Sequence, residues 1–410
     1  MRLRILLIPV LLTLLLVVQG CQRSLPPAGR WCGSVTLYDG KQLPFQMYLD
    51  LSKPTGFFLV DDEQTPIPEI QIHGDSMNFI FTEFNSAMRG LLKAGKYSGQ
   101  FFRYRKDTSW IAFEATSMAD QPQAAEQAAP TVTKTPLVGK FRAYFTTAIG
   151  LDSLTTATFW IKRDTIFGTL IAPDGDYGLM TGVQQGDDVQ LNRFTGWQAT
   201  MIKLARRGTS WSGKVYNRNN PPVSFALEPL ASASSVSANR GGATMRENKK
   251  PFHFSGRTLA GDSITSNDKR FNGKALLVEV MGTWCHNCMD AAPLLQQLYA
   301  EFQAQGLEVV GLAFELSNDF NAGQLNLQKF KARYGITYPL VFSGSTESQN
   351  VEAKIRSQVN NFGGYPSTFF IARNGLVKEI HSGFRGPGTG EEYQNQVQDY
   401  YRLVKELLRN

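Results

Sequence analysis

The stretch that leaves this chain fewest choices is Gly282-Thr283-Trp284-Cys285-His286-Asn287-Cys288. A run of apolar and β-branched residues, 275–281, leads into it. An amphipathic segment, 289–305, leads out, with Ala292, Leu295, Leu298, Tyr299 and Phe302 at three- and four-residue spacing. That periodicity predicts a helix with one buried face. The two cysteines therefore fall where a buried strand turns into a helix. The unpaired N–H groups of a first helical turn favour a thiolate, and so does the C-x-x-C spacing. Cys285, the outer thiol, is the expected nucleophile. Cys288 lies one turn on, within reach to close a Cys285–Cys288 disulfide.

A structural zinc site is the bland alternative. It needs four ligands. Beyond this pair the chain offers only Cys21, Cys32, His73, His253, His286 and His381, with no second paired-ligand motif. A redox dithiol is the better reading, and no metal or cofactor is expected.

Trp284-Cys285-x-x-Cys288 between strand and helix resembles the thioredoxin fold. Pro293 stands five residues after the second cysteine, where thioredoxins carry a helix proline. Gly364-Tyr365-Pro366-Ser367-Thr368, ahead of the apolar 369–372, matches the family's cis-proline segment. The resemblance implies that Trp284, Tyr365, Pro366 and Ser367 hold a substrate's extended chain facing the dithiol. The extra segment around 315–325 resembles the TlpA/ResA branch. Two acids are candidates for moving the proton of Cys288. Glu315 ends a predicted strand where that branch carries a functional glutamate, and Glu279 sits in the preceding strand where thioredoxins bury an acid. His286 and Asn287 replace the Gly-Pro of reducing thioredoxins. A cationic His286 is expected to stabilise the thiolate and tune the potential.

The chain opens with Arg2 and Arg4 and an apolar run, 5–18, too short for a comfortable membrane span of about 20 residues. This is the layout of a signal peptide. Val18-Gln19-Gly20-Cys21 resembles a bacterial lipobox, so 1–20 reads as a lipoprotein signal peptide and Cys21 as its lipidation site. The expected location is the bacterial cell envelope, lipid-anchored and extracytoplasmic. Cys32 is then the odd thiol, expected to be buried and inert. The formal net charge of +7 is spread without a dense basic cluster, so nothing indicates nucleic acid.

At 410 residues the chain is long for one core. Ala/Gln/Pro-rich and Ser/Ala/Gly-rich stretches suggest linkers at 116–137 and 229–250. They divide the chain into a tether, 21–28, β-rich modules at 29–115 and 138–228, and a redox domain at 251–410. Both modules show short alternating runs punctuated by turns, as in antiparallel meanders or small barrels. They look like a tandem repeat. Gly56 matches Gly168 and Gly74 matches Gly186 at an offset of 112, and Gly99 matches Gly213 at 114. Their aromatics, including Phe57, Phe58, Phe79, Phe81, Trp160 and Trp197, read as core. The fold class expected is an α/β thioredoxin-like C-terminal domain, a mixed sheet flanked by helices, preceded by two antiparallel β modules.

Three functions compete. The first is an exported thiol–disulfide oxidoreductase that reduces partner proteins and is itself reduced, as the resemblance implies, by a membrane thiol carrier. The second is a peroxiredoxin-like peroxidase, disfavoured because Val278 and Gly282 stand where its proline and threonine are needed. The third is a binding or scaffolding lipoprotein that works through its β modules.

Overall fold

The computed structural model describes residues 25–104, 108–118, 135–147, 150–230, 242–247 and 249–409. Cys21, the signal-peptide segment and most of both expected linkers lie outside these residues.

Alternation decides the first module. Along Gln42–Asp50 and Ser109–Ser117 every second residue is buried, so each strand has one inward and one solvated face. Nine antiparallel strands run from Gly29–Thr36 to Ser109–Ser117. The first strand pairs with both the second and the last, and Glu63–Pro66 and Glu69–His73 form the two edges. The same alternation turns Trp31 into the core and Cys32 out to solvent, correcting the expectation of a buried Cys32. Among the aromatics, Phe58, Phe79 and Phe81 are core. Phe57 and Trp160 are only half-buried and stack on strand neighbours, Tyr48 and Phe167.

The second module repeats the plan and closes it. Its first strand, Gly139–Thr147, pairs with the next, Gly150–Lys162, and with the last, Val223–Pro229. Gly150–Lys162 also pairs with Thr165–Ala172, completing an eight-stranded barrel. Leu170, Leu191, Ile202, Phe159 and Trp211 fill it, as in other small barrels. The repeat seen in sequence has structural content. Gly74 and Gly186 both turn hairpins at positive φ, 54° and 61°. A Cβ on Gly99 or Gly213 would overlap the carbonyl oxygen of the neighbouring strand, Arg89 or Lys203.

The C-terminal domain is a seven-stranded sheet with helices on both faces. Its central strands, Ala275–Met281 and Leu307–Glu315, are parallel and almost wholly buried, which is why they read as continuous apolar runs. Leu340–Ser345 extends the sheet on one side, and Ser367–Ile371 and Val377–Ser382 extend it antiparallel on the other. The helices are α1 (His286–Phe302), α2 (Phe320–Tyr334), α3 (Ser348–Val351) and α4 (Glu391–Arg409). Asn374-Gly375 makes the anticipated turn, with Gly375 at φ 81°. The α/β domain behind two antiparallel β modules is the fold class expected. No helix among the described residues is long and apolar enough to cross a membrane.

One apolar cluster runs through all three units. The hairpin Asp188–Phe194/Ala199–Arg207 of the second module drives Phe194 into the first, where it meets Phe45, Phe58 and Phe101 at ring-centre distances of 4.7, 5.0 and 5.4 Å. Arg193 on the same hairpin is buried and makes a two-pronged ion pair with Glu63 of the first module, at 2.9 and 2.6 Å. It also donates to Leu179 O and Gln198 Oε1.

Candidate redox site

Strand Ala275–Met281 delivers the chain to a tight turn in which Cys285 N–H bonds Gly282 O at 3.0 Å. Gly282 is required there, since a Cβ would overlap the Trp284 indole. Cys285 is the N-cap of α1, and its sulfur accepts the Cys288 N–H at 3.4 Å. This is a first-turn N–H contact of the kind that stabilises a thiolate. Cys285 is 7% exposed and Cys288 is fully buried. Both are free thiols. Burial, the neighbouring Cys285 and Glu279 push the Cys288 thiol well above its ordinary range.

The Tyr365–Pro366 peptide is cis, and the Tyr365 carbonyl accepts from Cys285 Sγ at 3.4 Å. The proline segment thus faces the dithiol across 80 residues of sequence. Trp284 anchors the turn by donating to Phe314 O at 2.9 Å, and its ring meets Tyr365 edge-on at 5.2 Å. Ser367 departs from expectation. It is wholly buried and its hydroxyl bonds Gly364 O, so it braces the proline loop and presents nothing to a substrate.

The two acids separate. Glu315 accepts from Thr283 N at 2.9 Å and from Thr283 Oγ1 at 2.7 Å, so it fixes the backbone just before Trp284. Burial raises its pKa, and the Thr283 bonds oppose the rise. Glu279 is 1% exposed and neither carboxyl oxygen has a hydrogen-bond partner. Desolvation alone lifts its pKa from 4.5 to about 8. Its charge is felt by Cys288, Tyr338 and Tyr400, which places it beneath the inner thiol.

The pair between the cysteines also differs from expectation. His286 packs against Trp197 of the second module at 5.3 Å and lies 3.2 Å from Asp290 Oδ2. Burial, then Arg193, push its pKa well below the usual range, which favours the neutral ring beside Cys285 over the expected imidazolium. Asn287 is a strut. Its amide donates to Phe384 O at 3.0 Å, while Gly175 of the second module packs so close that a Cβ there would overlap it.

The site's other wall comes from the β modules and has no local signal in the sequence. Phe84 and Trp197 stack at 4.6 Å with their planes 10° apart. They occupy equivalent positions, each third in the four-residue loop of the corresponding hairpin of its module. Arg103 and Asn217, again equivalent in the repeat, line the same space. The result is a cleft of about 340 Å³ above Cys285, bounded by both modules and by Trp284, Leu316 and Tyr365. Asp176 secures one rim, accepting from Gly386 N at 2.6 Å. Extending the repeat alignment into the loops would have paired Phe84 with Trp197. Nothing in sequence says that both face a cysteine.

A strand–turn–helix dithiol opposite a cis-proline loop, on a mixed sheet, defines a thioredoxin-like redox domain. Residues 248–380 match the family model described as AhpC/TSA family. The thiol-disulfide oxidoreductase ResA of Geobacillus thermodenitrificans is 32% identical over 115 residues, 28% of this chain and 57% of that protein. Its namesake from Halalkalibacterium halodurans is 25% identical over 162 residues, 39% of this chain and 78% of that protein. The chain thus spans little more than half of the first of these relatives. A thiol:disulfide interchange protein of Chlorobium tepidum TLS aligns with 40% of this chain and 99% of its own, at 25% identity and a TM-score of 0.29. The C-terminal domain has a thioredoxin-like fold and is similar in sequence to the ResA oxidoreductases, and the β modules fall outside the matched family region.

Proposed function

We propose that this chain is an extracytoplasmic, lipid-anchored thiol–disulfide oxidoreductase that reduces disulfides of exported partners. The observation that carries the reading is Cys285 Sγ, held between the Cys288 N–H and the Tyr365 carbonyl. The Cys285 thiolate attacks one sulfur of a partner disulfide, and the partner's other sulfur leaves as a thiolate. Cys288 then loses its proton and attacks Cys285. The partner departs with both sulfurs reduced, and the chain keeps the two-electron deficit as a Cys285–Cys288 disulfide. A membrane thiol carrier returns the electrons.

Glu279 is the proton acceptor for Cys288. It is buried and unpartnered, and its pKa is raised to about 8, so the ionised form that takes the Cys288 proton becomes available as the pH rises toward 8. Glu315 is a positioning residue acting through Thr283. Arg2, Arg4, the apolar run and Cys21 support export and anchoring. The peroxidase alternative loses ground at Gly282, where Trp284 leaves no room for the threonine it requires.

Cys285→Ser is expected to abolish insulin-disulfide reduction, and retained activity refutes the assignment. Cys288→Ala is expected to accumulate mixed disulfides on Cys285, which identifies the partners.

A further inference from the structure

Glu279 lies beneath the dithiol with no way upward for a proton. Cys288 above it is fully buried, and in the mixed disulfide the partner covers Cys285 as well. We propose that protons leave Glu279 sideways across the sheet, by way of Thr368, Tyr400 and His381, to the carboxylates of Glu379 and Asp399 at the surface. This rests on Glu279 as the acceptor for Cys288 and goes further, to how that acceptor is emptied.

Strand register lays the track. Glu279 stands directly opposite Thr368, and Thr368 directly opposite His381. Residues so paired project from the same face of a sheet, with Cβ atoms about 4.5–5.5 Å apart. Polar side chains on three adjacent strands therefore form a row beside apolar neighbours such as Leu277 and Phe370. Helix α4 covers the row. Its Tyr400 donates to Thr368 Oγ1 at 3.0 Å, and the tyrosine ring meets the His381 imidazole at 5.4 Å. His381 Nε2 lies 2.7 Å from Glu379 Oε1 and 3.6 Å from Asp399 Oδ2. Glu279, Thr368, Tyr400 and His381 are all buried, whereas the Glu379 and Asp399 side chains are 32% and 22% exposed. The row runs from a dry end to a wet one.

The chemistry suits the order. A hydroxyl accepts one proton while giving up its own, and an imidazole takes a proton at one nitrogen and releases one from the other. Nε2 faces Glu379, so Nδ1 is the receiving side. No hydrogen bond joins Glu279 to Thr368, and a turn of the carboxyl about its own stem makes one. The need for an exit is set by Glu279 itself. It holds its proton until about pH 8, so near neutral pH that proton must depart before the one on Cys288 can arrive. Cys288 and Tyr338 are the other titratable groups beside Glu279. At the outlet stand Arg402, which bonds Asp399, and also Arg385 and Glu406.

The test uses the reduced full chain and an aromatic disulfide, dithiobis-nitrobenzoate, whose halves leave as coloured thiolates. The first thiolate reports attack by Cys285, and the second reports its displacement by Cys288. Two electrons pass to the reagent, and the chain ends as the Cys285–Cys288 disulfide. A pH-indicator dye follows the proton. His381→Gln keeps a hydrogen-bond donor for Glu379 and cannot relay. At about pH 6 it is expected to slow the second thiolate about tenfold relative to the first. Above about pH 8, where Glu279 is already ionised, the second thiolate should keep its native rate while the proton reaches the dye late. Should that variant not fold, Tyr400→Phe keeps the ring, removes the hydroxyl and is read in the same way. A native rate at the lower pH, a slowing equal at every pH, or a prompt proton above pH 8 overturns the route, since packing alone acts without regard to pH. Glu279→Gln separates the two readings. If it slows the second thiolate and His381→Gln does not, Glu279 stands as acceptor and the route falls. If neither slows it, both fall.

Discussion

Glu279 shows how much one residue's surroundings decide. In water its carboxyl would be ionised at pH 6. Here, with no hydrogen-bond partner and no contact with solvent, it keeps its proton until about pH 8. The sign of the stability consequence follows. Below 4.5 both folded and unfolded chains hold the proton and the residue contributes no pH dependence. Between 4.5 and about 8 only the unfolded chain gives it up, so folding stability falls across that window, by on the order of 5 kcal/mol, and is flat above it. Glu279→Gln is expected to remove that slope. Urea titrations at pH 5 and pH 8 check it, and an unchanged slope assigns the pH dependence elsewhere. The same variant should slow release of the mixed disulfide by on the order of 100-fold and flatten its rise toward pH 8. A rate that still climbs through pH 8 would move the proton acceptor to another group. His286, neutral between Trp197 and Asp290, should contribute no inflection near pH 6.5 in the same profile.

At the scale of the element, the hairpin Asp188–Phe194/Ala199–Arg207 does most to build the site. Its strands alternate Phe194 inward and its loop turns Trp197 outward. One tip therefore fills the mouth of the first module and lies against the first turn of α1. The equivalent hairpin of the first module does the same with Phe84, Glu83 meeting Arg333 of α2 at 3.6 Å. Trp197→Ala removes two ring contacts and should cost about 2–3 kcal/mol, the range for a large, partly buried aromatic. It should also expose the nucleophile. The expected readout is a lower thermal midpoint together with faster alkylation of Cys285 by iodoacetamide. Destabilisation without increased alkylation would make Trp197 packing alone.

At the scale of the molecule, the three units act as one body because polar and apolar links cross the same seams. Arg193 is the clearest, a buried guanidinium in the second module whose partner, Glu63, belongs to the first. Arg193→Met keeps the stem and removes the fork. Glu63 is about one-third exposed, so the pair is worth less than a wholly buried one, about 2–3 kcal/mol. Calorimetry should then show two unfolding transitions where the native chain is expected to show one. A single, merely shifted transition would mean that the apolar seam around Phe194 couples the modules without it.

Much of this was legible in order along the chain. The dithiol at a strand–helix junction and the two β modules follow from local signals: the 3.6 and 2.0 periodicities, the turn residues, and the spacing Cys-x-x-Cys, while the proline loop is implied by the family resemblance and the repeat by glycines at a fixed offset. The local signals depend only on near neighbours in sequence, so sequence alone determines them. The exposure of Cys32 escapes the sequence because the register, which sends alternate residues to opposite faces, is fixed by pairing with Gln46 and Thr116. The state of His286 escapes the sequence because its burial, partly against Trp197, and the charge of Arg193 come from residues some 90 positions away. Which of two glutamates lies bare beneath Cys288, and which aromatics roof Cys285, were likewise decided by tertiary packing. Desolvation and enclosure arise only when distant segments meet.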